Sequence, residues 1–377
     1  MDRFTADVVV IGGGIAGSSI AFRMACKGHS VILLEKGRVG EEASGRCGGG
    51  VRQNGRNPAE LPLAMEAVKL WADMKDELGC DVGYRRGGNI RFAHTREKLE
   101  DLRQIAERET RIGLGVEILS PEETRQLTPT LSDKIELYGS KHCPTDGSAN
   151  PLLVVKAICR ATRRKGVQIH EHTPVRELRA RNGRVAAAVT DKGVYGGAVF
   201  VNAAGPWTRG LCNTIGLDIP IRLEKESVFV TEALPPMLRQ FAESDEFYYR
   251  QALEGNFHIA GGFTTRPIEH VTDTSVDFRS FVDIGRRLPV FVPVTRNVNI
   301  IRAFAGVIES TPDKIPILDK APGFENLFVT TGFSGHGFCL GPIVGQLITE
   351  WITEGRSSLD LSPFRWSRFD TVESNNA

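Results

Sequence analysis

Asp7-Val8-Val9-Val10-Ile11 runs straight into Gly12-Gly13-Gly14-Ile15-Ala16-Gly17, and the next apolar run, Val31-Ile32-Leu33-Leu34, ends on Glu35. Residues of these types at this spacing bind a dinucleotide. Gly12 permits a tight turn, Gly14 lets the backbone approach a pyrophosphate, and Gly17 allows close packing of the helix whose positive N-terminus receives the phosphates. Glu35 stands 18 residues past Gly17, where an acid holds a ribose hydroxyl pair. An acid here argues against a 2′-phosphate but does not separate NAD from FAD.

A second glycine-rich turn, Gly332-Phe333-Ser334-Gly335-His336-Gly337-Phe338, follows the apolar run 327–331 and leads into a helical stretch over 342–351. It offers free amides and a helix dipole to negative charge. A flavin ring, with carbonyls to polarise, has a use for such a turn; a nicotinamide has none. Between the two turns, Ala203-Ala204-Gly205-Pro206-Trp207 ends an apolar strand at 198–202. That brings bare backbone to the carboxyl edge of the sheet, where open α/β sheets bind ligands.

The elements that must position these turns alternate between strand and helix. Residues 18–26 read as a helix, 152–164 as an amphipathic helix, and 167–170 as a strand behind the Lys165-Gly166 stop. Strands at 175–181 and 184–190, joined by Asn182-Gly183, then lead through Asp191-Lys192-Gly193 into 198–202. The expected fold is α/β: a discontinuous Rossmann-type nucleotide-binding domain (1–85, 138–220 and 298–377) with a second, α+β domain on a mainly antiparallel sheet (86–137 and 221–297). In the second domain a charged helical hairpin is expected around 97–113, its charges forming a solvated face laced with i,i+4 pairs. Short alternating strands are expected at 226–230 and 256–259.

A chain of 377 residues fits two domains, and a net charge of +1 lacks the basic excess that nucleic-acid binding needs. No apolar run reaches the ~18 residues of a membrane span. The first strand begins within seven residues of Met1, so no signal peptide and a cytoplasmic location are expected. The seven cysteines are odd in number and show no C-x-x-C spacing, so neither a disulfide framework nor a metal site is expected.

Taken together and in order, the N-terminal fingerprint, Ala43-Ser44-Gly45, Gly48-Gly49-Gly50-Val51, Asp146-Gly147, Ala203-Ala204-Gly205-Pro206-Trp207, Thr311-Pro312-Asp313 with Pro316-Ile317, and Gly332-Phe333-Ser334-Gly335-His336-Gly337 form one pattern. It resembles the D-amino-acid-oxidase-like FAD oxidoreductases, the family of glycine and sarcosine oxidases and of the flavoprotein subunits of proline, hydroxyproline and opine dehydrogenases. The resemblance covers nearly the whole chain. It implies FAD, with Gly12, Gly14, Ile15, Ala16 and Gly17 against the pyrophosphate, Glu35 and Lys36 near the adenosine ribose, and Ala43 and Ser44 along the same phosphates. Gly48, Gly49, Gly50 and Val51 would run beside the flavin ring, and Val175 would pair its backbone with adenine. Ala203, Gly205 and Trp207 would line the strand edge. Gly332, Phe333, Ser334, Gly335, His336, Gly337 and Phe338 would close the pyrimidine end of the ring.

The chemistry so implied is oxidation of a C–N bond by hydride transfer to flavin N5, giving an imine from a secondary or D-configured amino acid. Such chemistry asks the protein for orientation and a cation for the substrate carboxylate. Arg302, expected on a strand leading into a turn at Gly306, and Arg250, which follows the roof-forming pair Tyr248-Tyr249, are the candidates. Tyr249 and His336 complete the implied catalytic set, with His336 favoured as a cofactor contact over a general base. Cys47 faces the same region, and noncovalent FAD is expected.

Two departures stand out. Ile308 occupies the place of the arginine that clamps the carboxylate in glycine-oxidase-like members, and Gly306 lies near the place of the FAD-tethering cysteine of monomeric sarcosine oxidase. Both favour a dehydrogenase type working beside an electron-accepting partner subunit. The alternatives are oxidation of a C–O bond in a 2-hydroxy acid or a glycerol-3-phosphate-like substrate, and a structural flavoprotein subunit of a larger complex.

Overall fold

The computed structural model describes residues 2–370. Two sheets organise it. The first has eight strands, with the buried Val8–Ile11 end of Asp2–Ile11 at its centre, flanked in parallel by Val31–Leu34 and Gly193–Asn202. Gln168–His170 extends it beyond Val31–Leu34, and Leu327–Thr331 pairs in parallel with Gly193–Asn202 on the other side. Val8, Val9, Val10 and the whole of Val31–Leu34 are buried because helices cover this sheet. Ile15–Cys26, Pro151–Arg164 and Gly337–Glu354 do so, and Ile15–Cys26 packs so tightly on Gly337–Glu354 that a Cβ on Gly345 would lie 2.5 Å from that of Ser19.

The second sheet has nine strands and is almost entirely antiparallel, with Arg222–Ala233 and Ile300–Ser310 paired along most of their length. Its far face packs on a core of Phe92, Phe229, Phe247, Tyr249, Phe257 and Ile259, with the helix Phe278–Phe291 against it. No helix among the described residues is long and apolar enough to cross a membrane.

Three details differ from the sequence expectations. The charged segment is one helix, Arg96–Ile112, because Thr95 caps its start and Gly113 in the left-handed region ends it, with no breaker between. Gly139–Cys143, grouped by sequence with the nucleotide part, pairs in the nine-stranded sheet, as does Ile300–Ser310. Gly306 is therefore no turn. It lies mid-strand, where a Cβ would stand 2.9 Å from the Arg46 carbonyl oxygen, so glycine serves a close approach.

Candidate active site

A cavity of about 500 Å³ opens at the carboxyl edge of the first sheet and runs under the second. Gly12 forms its floor with φ +106°, and a Cβ there would lie 2.3 Å from the Ala203 carbonyl oxygen. Gly17 is as constrained, 2.0 Å from the Gly12 carbonyl oxygen by the same measure, whereas a Cβ on Gly14 would meet only the Ser44 hydroxyl at 3.1 Å. Thus Gly12 and Gly17 set the turn, and Gly14 lines the cavity beside Ser44. Helix Ile15–Cys26 begins here without an acidic residue or a side-chain cap from Gly14, and Ser44 Oγ accepts the Ile15 N–H at 2.9 Å. The remaining first-turn amides, beside an uncharged hydroxyl, suit a pyrophosphate.

Glu35 lies at one end, its carboxylate accepting the Gly13 and Gly37 N–H groups at 2.8 and 2.7 Å. Burial raises its pKa against those two bonds. Nearby, Lys36 Nζ sits 4.0 Å from the Trp207 ring centroid and pairs with Glu42. Val175 completes this end, with Thr173, Pro174 and Arg176 beside it. At the other end the cavity meets Gly205, Phe333, Gly335, Gly337 and Phe338 from the expected set, and Cys47, Gly306, Ile308 and Glu309.

Glu309 had no signal in a one-dimensional reading. It becomes visible only as a buried carboxyl at the cavity wall, its pKa pushed up to about 7 by burial against neighbouring backbone amides.

His336 turns away. Its Nδ1 is 2.8 Å from Glu60 Oε2, and burial, then the Arg56 guanidinium, lower its pKa to about 4. The ring is neutral near pH 7 and does not line the cavity, unlike Gly335, Gly337 and Phe338 around it.

The segment 48–51 is held from both sides. Gly50–Val51 pairs with Gly147–Ser148, and Asp146 accepts the Gln53 and Asn54 N–H groups at 2.7 and 3.1 Å. Above it lies the near face of the second sheet. Strand alternation puts Tyr248 and Arg250 on that face and Tyr249 on the other. Tyr249 is therefore a core residue, fully buried, with its hydroxyl 3.0 Å from Thr130 Oγ1, and it does not reach the site. Tyr248 does: its hydroxyl donates to Glu226 Oε2 at 2.8 Å, and its ring so covers Gly48 that a Cβ there would lie 2.5 Å away.

Arg250 is 4% exposed and donates through Nε to the Gly48 carbonyl oxygen. No carboxylate among the described residues lies within 4.0 Å of it. Burial lowers its pKa to about 10, which leaves it charged at neutral pH. Arg302 is exposed near the start of its strand, with its guanidinium carbon 5.2 Å from the Phe304 ring centroid.

A profile of the FAD dependent oxidoreductase (DAO) family matches residues 7–351. This chain belongs to that family. FAD is its cofactor, and the cavity-lining Gly14, the helix start free of acidic residues and the buried Glu35 fit it. Among relatives, the chain is 28% identical over 386 residues to the mitochondrial pyruvate dehydrogenase phosphatase regulatory subunit of Mus musculus, covering 98% of this chain and 44% of that protein. It is 28% identical over 382 residues to the mitochondrial sarcosine dehydrogenase of Homo sapiens, covering 97% of this chain and 41% of that one. The chain thus spans less than half the length of these two relatives. Among solved structures, L-proline dehydrogenase from P. horikoshii superposes with a TM-score of 0.92 at 26% identity, covering 98% of this chain and 99% of that one. The DAO fold therefore accounts for both sheets.

Proposed function

We propose that this chain oxidises the C–N bond of a secondary or D-configured amino acid. The observation that carries the reading is Arg250: a buried, charged guanidinium with no carboxylate partner, held against the glycine segment beside the cofactor cavity. An unpaired buried charge is costly, and a bound carboxylate supplies the missing partner through charge-assisted hydrogen bonds. Arg250 would hold the substrate carboxylate, and Tyr248 with Glu226 would receive its amine. Burial raises the Glu226 pKa, and hydrogen bonds from Tyr248 and Thr265 oppose that rise. The apolar roof over Gly48 would exclude water.

FAD, when bound, supplies the two-electron acceptor for the hydride. We place its pyrophosphate at Gly12, Gly14 and Ser44, its adenosine at Glu35 and Val175, and its ring between Gly48–Gly50 and the turn 333–338. The attachment is read as noncovalent, because burial pushes the Cys47 thiol up to about 12 and keeps it a poor nucleophile. The relatives named sarcosine dehydrogenase and L-proline dehydrogenase support an amine substrate and an electron acceptor other than oxygen, which would be a partner subunit.

The test is anaerobic titration of the holoprotein with sarcosine, proline, D-alanine and 2-hydroxyglutarate, following the flavin absorbance. Bleaching by an amine, with KM raised at least tenfold in Arg250→Met, is expected; bleaching by the hydroxy acid alone overturns the reading. The relative named as a regulatory subunit favours a second reading, a flavoprotein kept for assembly. A flavin that no amine or hydroxy acid reduces would favour it.

A further inference from the structure

Glu309 sits in the wall of the cofactor cavity with a carboxyl that no side chain of the described residues answers. It stands one residue from the end of strand Ile300–Ser310, is 6% exposed, and lines the 500 Å³ cavity. Its backbone is fixed from two sides. It pairs with Leu223 across the sheet, and its carbonyl oxygen accepts the Ser334 N–H at 3.0 Å, which ties it to the turn 332–338. The side chain reaches the strand-edge glycine: a Cβ on Gly205 would lie 3.7 Å from Oε2 and 3.9 Å from Oε1. Gly205 and Phe333 line the cavity there too. The carboxyl is thus set between the strand edge and the turn, at the flavin end of the cavity.

The charged groups on the elements packed around it are taken up elsewhere. On the paired strand Glu224 bonds Lys314 and Lys225 bonds Asp273; Lys36, beside Trp207, bonds Glu42; and His336, in the turn, bonds Glu60. Arg222, next to Leu223, is exposed. Of the other groups lining the same end, Arg46 donates to the Glu41 and Ala305 carbonyl oxygens, Glu226 accepts from Tyr248, and Cys47 is held as the thiol by burial. No cation among the described residues lies within 4.0 Å of Glu309. Burial raises its pKa to about 7, and the amides of 309, 333 and 332 only oppose that rise.

FAD brings two phosphate charges and many acceptor oxygens to this cavity. An ionised carboxylate there sets like against like, with no cation between, whereas a carboxylic acid has an O–H to donate. We propose that Glu309 holds FAD as the acid, donating its O–H to an oxygen of the flavin half, so that the protein binds its cofactor together with one proton. The sign follows from linkage. Bound FAD keeps the proton on Glu309, so its pKa is higher in the FAD-bound protein than in the free one. Below pH 7 the free site already carries the proton and affinity is full. Above pH 7 the proton must be taken up on binding, and affinity falls by up to about tenfold per pH unit until the bound form also loses it. This inference needs FAD in the cavity and is independent of the substrate.

The test is equilibrium dialysis of the holoprotein against FAD at constant ionic strength between about pH 6 and 8.5, where FAD itself has no titrating group, with bound flavin read by absorbance. Kd is expected to rise at least tenfold across that range. Glu309→Gln keeps a neutral donor, so its Kd should vary by less than about twofold with pH and bind more tightly than the parent at pH 8.5. Glu309→Ala lacks the donor, so its Kd should be equally flat but at least about tenfold weaker than the parent at pH 6. Far-UV circular dichroism at each pH confirms that both variants are folded. A parent Kd that does not change with pH overturns the proposal. So does a slope retained in Glu309→Gln, which would assign the proton to Glu226 or Glu35, and so does Glu309→Ala binding FAD as tightly as the parent at pH 6.

Discussion

Replacing Glu309 by glutamine tests the electrostatics of the cavity wall in the FAD-free protein. Glu309 is 6% exposed, and its pKa is raised from the ordinary glutamate value of 4.5 to about 7, chiefly by burial. The folded chain therefore holds this proton more tightly than the unfolded chain. As pH rises from 4.5 to 7 the unfolded state has already released it, so stability falls, and the loss is complete above pH 7. A shift of ~2.5 pH units corresponds to about 3 kcal/mol. With an unfolding entropy of ~2 cal/mol/K per residue, that is about 4 °C in Tm for a chain of this length. Glutamine stays neutral, so Glu309→Gln should raise Tm relative to the parent by about 4 °C at pH 8 and by little at pH 4.5. Bonds lost or gained by the amide shift both ends equally, so differential scanning fluorimetry across pH reads the slope. A difference that does not change between pH 4.5 and 8, or that shrinks with pH, would refute the burial argument.

Three further outcomes are expected. Gly12→Ala puts a Cβ 2.3 Å from a backbone oxygen at φ +106°, so the purified protein should lose most of its bound flavin by absorbance ratio while still folding. Tyr249→Phe removes a buried hydrogen bond to Thr130, lowering stability by ~1 kcal/mol with substrate KM unchanged, whereas Tyr248→Phe should raise KM; the reverse assignment would place the wrong tyrosine on the site face. Lys141 and Glu109 form a fully buried pair at 2.5 Å, so Lys141→Met, which strands a buried carboxylate, should cost ~3–5 kcal/mol in urea unfolding, and adding Glu109→Gln should return part of it.

Local chemistry determined what the sequence showed by itself. Positions 12 and 17 must be glycine because a side chain there would strike backbone, and such constraints leave a fixed spacing that reads directly as a nucleotide turn. The hairpin at 175–190 and the helix at 151–164 were equally legible, because Asn182-Gly183 and the apolar period act over a few residues.

Partnership across long sequence separations was decided only in three dimensions. Residues 248 and 249 are adjacent tyrosines with the same propensity, and which one enters the core depends on the register against 256–260, since a step of one residue exchanges the two faces of a strand. Glu309, 104 residues from Gly205 in sequence, acquires its raised pKa from burial that folding alone creates. Arg250, His258 and Arg302 form one row because four strands align in register, and each had appeared in the chain as an isolated basic residue. Short-range sterics are written into residue type, whereas charge environment and convergence are properties of the packed sheet.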